Sequence, residues 1–279
     1  MPEPGPTLNQ GWLWLGGSLL AAVIGANVAW FFRHPRPGAI GRIVTRWIAT
    51  PFSPWLLQLV RLLYYLGLPL AALVWGQDAL VGRLLGLQRL QLPPSLDAGG
   101  SSVSTDLVAN WLDWTRDVGW TAALGIAAWG LLALGWLAYR RALASGVKPV
   151  PESDVTVAGV NSSSWLLARE AAYHEVHWAF YRNAPILLLG AYGGSWMGLA
   201  LVSLEALLNP AWRNDLAHPR QAPERLMRFG LAVLSALLFP LTENLWLTWA
   251  GHWTVSWGVA AWARAIPLPT EQRLDQASA

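Results

Sequence analysis

The chain has 279 residues, 54% of them hydrophobic and only 13% charged, and it carries 20 Trp. Soluble domains average about 25% charged residues, so a charge content this low, set in long apolar runs, points to a polytopic membrane protein. There is no cysteine, which excludes disulfides, thiolate nucleophiles and Cys-based metal sites. The net charge of +3 sits in the loops and gives no basic stripe for nucleic acid.

A membrane span needs about 20 mostly apolar residues. The N-terminal Met-Pro-Glu-Pro-Gly-Pro lacks the basic region of a signal peptide, so the first apolar run, 12–32, is expected to be a retained span. A basic loop with Arg33, Arg36, Arg42 and Arg46 follows. The second span is predicted over 55–76, with Arg61 in its first two turns, near enough to the headgroups to snorkel. Residues 78–117 form a polar region with Asp78, Asp97, Asp106, Asp113 and Asp117; within it 79–90 reads as a short amphipathic helix and 93–105 as a loop. The third span, 118–139, ends at Tyr139-Arg140-Arg141, and a polar linker covers 145–163.

Helices four and five are predicted over 164–183 and 184–209, followed by a basic, Pro-containing loop over 211–225. The sixth helix, 226–239, is broken by Pro240. Thr242 is the expected N-cap of a seventh helix over 243–265, with Glu243 in its first turn, and a polar tail follows Pro267. Trp30, Trp55, Trp120 and Trp136 lie near span ends, where an indole keeps its N–H wet. With the N-terminus outside and the C-terminus inside, the Arg-rich loops fall inside and the Asp-rich 78–117 region outside, as the positive-inside rule requires. Arg182, at an outer end, is the exception. The expected fold is therefore all-α, a seven-span bundle in the cell (plasma or inner) membrane. It forms a single membrane domain with a three-span part (1–160), a four-helix core (161–266) and a tail (267–279). The lipid bilayer is its first partner.

Two features of the second half carry chemistry. At about 100° per residue, Glu170, His174 and His177 fall within roughly 60° of one another, while Glu175 points about 140° away from Glu170. Charged groups on a membrane-embedded helix need a polar cavity, a metal or a partner. Gly190, Gly194 and Gly198 form a stripe on the fifth helix that lets another backbone come close, and Glu205 continues that face. On the seventh helix Thr248, His252 and Ser256 share a stripe. Three readings compete. One is a Glu/His hydrolase, in which a carboxylate takes a proton from water and an imidazole stabilises an oxyanion. Another is a metal or haem site built on Glu-x-x-x-His-x-x-His, with Glu205 or His252 as a fourth ligand. The third is a polar network that only fixes helix register in a noncatalytic membrane subunit or scaffold.

The segment from Gly230 to Ser256, which runs Leu-Thr-Glu-Asn-Leu-Trp-Leu-Thr-Trp-Ala-Gly-His-Trp-Thr-Val-Ser from Leu241, resembles the CAAX-protease and bacteriocin-processing (CPBP) family of intramembrane proteases. His252 matches the catalytic histidine of that family's last motif, and Ser256 stands where Asn or Asp is usual. His174-Glu175, followed at a longer interval by Phe180-Tyr181-Arg182-Asn183, is the nearest counterpart of the family's Glu-Glu and aromatic–Arg motif. The middle motif's histidine has no counterpart, its region holding Ser203-Leu204-Glu205. The resemblance implies a metal-independent, cofactor-free endopeptidase acting on membrane-embedded or lipid-anchored peptides. Glu175 would be the general base, His252 the oxyanion or water-positioning group, and Arg182 an orienter of the acid. Helical geometry instead groups Glu170 with His174 and His177.

Overall fold

The computed structural model describes residues 7–33, 38–75, 105–144, 163–218 and 221–266, and every regular element among them is helical. α1 (Thr7–Arg33) leads to a short α2 (Ala39–Ile48). α3 (Ser53–Leu62) then continues through a π-helical turn (Leu63–Gly67) into α4 (Leu68–Trp75). After these come α5 (Thr105–Ala144), the long α6 (Ser164–Leu208), α7 (Pro210–Ala217), α8 (Ala222–Thr242) and α9 (Leu245–Ala265). Five helical stretches are long and apolar enough to cross a membrane: Gly11–Phe32, Ser53–Ala72, Asn110–Ala142, Ser164–Leu208 and Ala222–Thr242. Leu245–Ala265 is as long, but its five Trp and its Thr248–His252–Ser256 stripe make it less apolar. Large apolar side chains stand outward along these helices: Leu13, Leu20 and Ile24 on α1, and Ile126, Leu131 and Leu134 on α5. Patches of that kind are costly against water and at home against lipid, so the described part of the chain is that of a helical membrane protein.

Several boundaries differ from expectation, each for a local reason. Two stretches expected as basic loops contain helices. In α2 the apolar residues Ile40, Ile43, Val44 and Trp47 recur at helical spacing with Arg42 and Arg46 opposite, the pattern of an amphipathic interfacial helix. In α7, Asn209 caps the start through its side chain, which accepts from the backbone N–H groups of Ala211 and Trp212, and Pro210 occupies N1, where no N–H is needed. Pro240 does not end α8, which runs on to Thr242. Glu243 then takes a left-handed conformation (φ 43°) and lies outside either helix. The cap of α9 is Asn244, not Thr242, its side chain accepting from Trp246 and Leu247 N–H. α5 is longer than the predicted span at both ends. The expected helix over 79–90, the linker over 145–162 and the tail lie outside the described residues.

The break expected at 183/184 falls instead at Gly190 (φ 70°, ψ 176°), a conformation open essentially to glycine alone. Pro185 is absorbed within the preceding limb. At Gly190 the chain doubles back, so that 164–189 and 191–208 pack as antiparallel limbs of one hairpin. The glycine stripe is the seam. A Cβ on Gly194 would come within 2.5 Å of Ile186 Cα, and one on Gly198 within 2.8 Å of Arg182 Cβ. The spacing predicted such a close approach, and the partner is the limb just before it in sequence.

The first limb of α6 is the hub of the bundle. Trp178 packs with Met227, Leu231, Leu234 and Leu238 of α8 and Val255 and Val259 of α9, under Leu124, Trp129 and Leu132 of α5. Phe180, Tyr181 and Ala184 on its other side pack with Leu15 of α1 and Ala72 of α4. Nearly every residue from Ala171 to Pro185 is buried. Gly198→Leu should cost about 1–3 kcal/mol through overpacking against Arg182, whereas Leu at the exposed Ala200 nearby should cost almost nothing. Thermal unfolding of the two variants in detergent checks this.

Candidate functional site

The hub limb carries the polar groups singled out by sequence, and the bundle distributes them to two different faces. Glu175 has no exposed surface. Its Oε1 lies 3.0 Å from His252 Nδ1 on α9, and its Oε2 accepts from Ser235 Oγ on α8 at 2.6 Å. Arg182, two turns further along the same limb, brings Nη2 within 3.7 Å of Oε2. Its Nη1 donates to Ser235 Oγ (3.1 Å) and to the Ser235 carbonyl (3.4 Å), and its guanidinium lies 4.1 Å over the Phe239 ring. Glu175, Arg182, Ser235 and His252 are thus a closed, buried network of one acid, one permanent cation, a hydroxyl and an imidazole. A buried carboxylate is tolerable only with partners of this kind. Ser256, one turn beyond His252, is also buried.

The opposite face meets the π turn and the residues just before it. Glu170 pairs with Arg61 (2.5 Å) and Arg169 (3.1 Å), all three partly exposed. His177 Nε2 lies 3.0 Å from Glu205 Oε2 on the returning limb and 3.4 Å from the Tyr64 hydroxyl. Tyr64 shares a hydrogen bond with Tyr181 (3.2 Å), whose hydroxyl also meets Ser18 of α1 at 3.5 Å. The rings of Tyr64 and Tyr65 both stand about 5 Å from that of His177. Glu170, His174 and His177 do share a face, as the helical wheel indicated, but they do not converge on one site. Glu170 turns to arginines and His177 to Glu205, while His174 bridges the two faces.

His174 is sandwiched, its ring edge-on to Tyr65 and stacked on both Trp178 (5.3 Å) and His252 (5.8 Å, 7° between planes). Trp178 also stacks on His252 at 5.3 Å. The imidazole that touches Glu175 is therefore held by two aromatic faces as well as by its hydrogen bond. Among the described residues no three His, Asp or Glu side chains stand close enough to hold one metal ion. Both rings touch Tyr65, but His177 turns its Nε2 to Glu205 while His174 stacks on Trp178 and His252, which is not the convergence that a three-ligand face requires.

Sequence reasoning did not single out Ser235, Ser195, Ser18, Tyr64 or Tyr65. Ser235 had a signal, as the lone polar residue in the apolar run Leu231–Phe239. The tyrosines had none, because an aromatic pair in a span reads as lipid-facing or core. Beside the buried network a small cavity of about 10 Å³ is lined by Trp178, Arg182, Ser195, Gly198 and Ser235, among others. No protein-family model, curated protein or solved structure matches this chain.

The two acids should differ sharply in what they support. Glu170→Gln breaks partly exposed ion pairs and should cost about 1 kcal/mol or less. Arg182→Met leaves Glu175 buried without its cation and should cost about 3 kcal/mol or more. Comparing unfolding midpoints of the purified full-length variants measures both.

Proposed function

We propose that this chain is a multi-pass protein of the cell membrane with seven crossings, the N-terminus outside and the C-terminus inside. We further propose that its interior houses a glutamate–histidine hydrolase site of the CPBP kind. What carries the reading is the 3.0 Å contact between Glu175 and His252, two residues 77 apart in sequence that the resemblance to that family selects independently. Arg182, the third residue it selects, lies beside the same carboxylate.

The chemistry follows from the donors and acceptors present. Glu175 is the general base that removes a proton from water as the oxygen adds to a peptide carbonyl. His252 as an imidazolium donates Nδ1–H to Glu175 and retains Nε2–H for the developing oxyanion. Arg182 and Ser235 hold the carboxylate in place and compensate its charge in an apolar surround, and the Trp178 and His174 faces fix the imidazole plane. The site uses no metal and no cofactor in this reading. Its substrate is a membrane-embedded or lipid-anchored peptide.

A second reading, a noncatalytic subunit or scaffold packed in a membrane complex, is favoured by one observation. Glu170, Glu175 and Glu205 are each already paired within the bundle, and Glu175 is wholly buried.

The deciding experiment uses the full chain in lipid nanodiscs with quenched-fluorescent peptides, one with a transmembrane segment and one lipid-anchored. Hydrolysis should fall by about 100-fold or more in Glu175→Gln and in His252→Ala and persist in Glu170→Gln. A wild-type chain that cleaves neither peptide would leave the scaffold reading in its place. The crossings are tested separately, since a chain without cysteine accepts single reporters cleanly. Cysteines placed at residue 42 and at residue 97 should react with an impermeant maleimide from opposite sides of the membrane. Labelling of both from one side would overturn the proposed topology.

A further inference from the structure

Two of the residues that line the cavity between the α6 hairpin and α8 carry buried polar atoms without a hydrogen-bond partner. Arg182 Nε and Ser195 Oγ are buried and have no hydrogen-bond partner within the described chain, Arg182 Nη2 has only its 3.7 Å ion-pair contact with Glu175, and both residues line the cavity. Arg182 is 3% exposed and Ser195 1%. Buried donors left unpaired cost about 1–3 kcal/mol each, so two such residues around one space require an occupant that accepts from them. A volume of about 10 Å³ matches a single water, which needs a site of about that size with two to four polar partners. It holds the water alone, so in the hydrolase reading a peptide carbonyl meets that water from outside the cavity.

Ser235 decides what that water can do. A hydroxyl offers one donor and two acceptor positions. Ser235 spends its donor on Glu175 Oε2 and one acceptor position on Arg182 Nη1. Its second acceptor position remains, and Ser235 lines the cavity.

We infer that this cavity is a water site held by Arg182, Ser195 and Ser235, and that Ser235 passes the water's proton to Glu175. The water accepts from Arg182 and shares a hydrogen bond with Ser195, while one of its O–H groups donates to Ser235 Oγ. In the reactive step that O–H bond breaks and its proton moves to Ser235 Oγ as the serine's own proton moves to Glu175 Oε2. The water oxygen forms a bond to the peptide carbonyl carbon, and the carbonyl π pair moves onto its oxygen. When the tetrahedral adduct collapses, the oxyanion pair re-forms the carbonyl as the C–N bond breaks, and the C–N pair leaves on the amine nitrogen, which takes the proton from Glu175. Ser195 and Ser235 are thus positioning residues for the nucleophile, and this second half of the inference rests on the hydrolase reading.

Two measurements separate the halves. Radiolytic hydroxyl labelling of the full chain in nanodiscs, read by mass spectrometry, reports bound water irrespective of activity. Trp178 at the cavity wall, although only 7% exposed, should be labelled in the wild type. Its labelling should drop by about fivefold in Ser195→Val, where a methyl group takes the water's space. An unlabelled Trp178, or equal labelling in the variant, overturns the water site. The relay is read with the quenched transmembrane peptide. Ser235→Ala should lower kcat by about 100-fold with KM little changed and alter the solvent isotope effect, and Ser235→Thr should restore both. Full activity in Ser235→Ala overturns the relay. A wild type that cleaves no peptide overturns the relay together with the hydrolase reading, while the labelling result still decides the water site.

Discussion

A carboxylate with no exposed surface, placed inside a bundle whose outer surface is apolar, is the constraint that shapes the core of this protein. Glu175 cannot keep its charge there without donors, and no single helix can supply enough of them. Arg182 comes from its own limb two turns away, Ser235 from α8 and the imidazole of His252 from α9. Three helices must therefore meet at one side chain. The apolar packing of Trp178 with Leu231, Leu234, Leu238, Val255 and Val259 surrounds this meeting point. The apolar core and the ionic network specify the same arrangement of helices, which is the agreement between levels expected of a sequence with one well-defined fold.

The other face of the hub limb solves the same problem differently. Glu170 is answered by two arginines at the partly exposed end, and Glu205 by His177 with a tyrosine hydroxyl alongside. These pairs tie α6 to α3 and tie the two limbs of the hairpin to each other. Their side chains keep some exposure, whereas Glu175 and its partners Arg182 and His252 are almost wholly enclosed. One limb thus carries a partly exposed ionic cluster near its start and a buried one further in. His174 stacks between the two sides.

Much of this is legible in the sequence. The low charge content and long apolar runs gave the helical membrane character, and the wheel correctly put Glu170, His174 and His177 on one face with Glu175 away from them. The glycine stripe correctly announced a close backbone contact. The partners were not legible, because pairing is decided by residues far apart in sequence. Nothing near Glu170 names Arg61, and nothing near Glu175 names Ser235. The helix boundaries differ from expectation at 183/184 and at Pro240. Pro185 and Pro240 both sit within helices, while Gly190, the first member of the packing stripe, makes the reversal. A proline removes one donor, and its neighbours can absorb the kink. A glycine at φ 70° changes the direction of the chain outright.

That reversal also sets a scale. Measured along the axis at 1.5 Å per residue, Arg182 lies about 12 Å from Gly190, Glu175 about 22 Å and Glu170 about 30 Å. The last figure is the thickness of a hydrocarbon layer. If the tip of the hairpin sits at one surface, Glu170 and its arginines emerge at the other, among headgroups, where partial exposure costs little. Glu175 and Arg182 straddle the layer's interior, the region of lowest polarity. The hairpin is then a ruler laid across the bilayer, and the degree of enclosure of each ionic group follows its mark on that ruler.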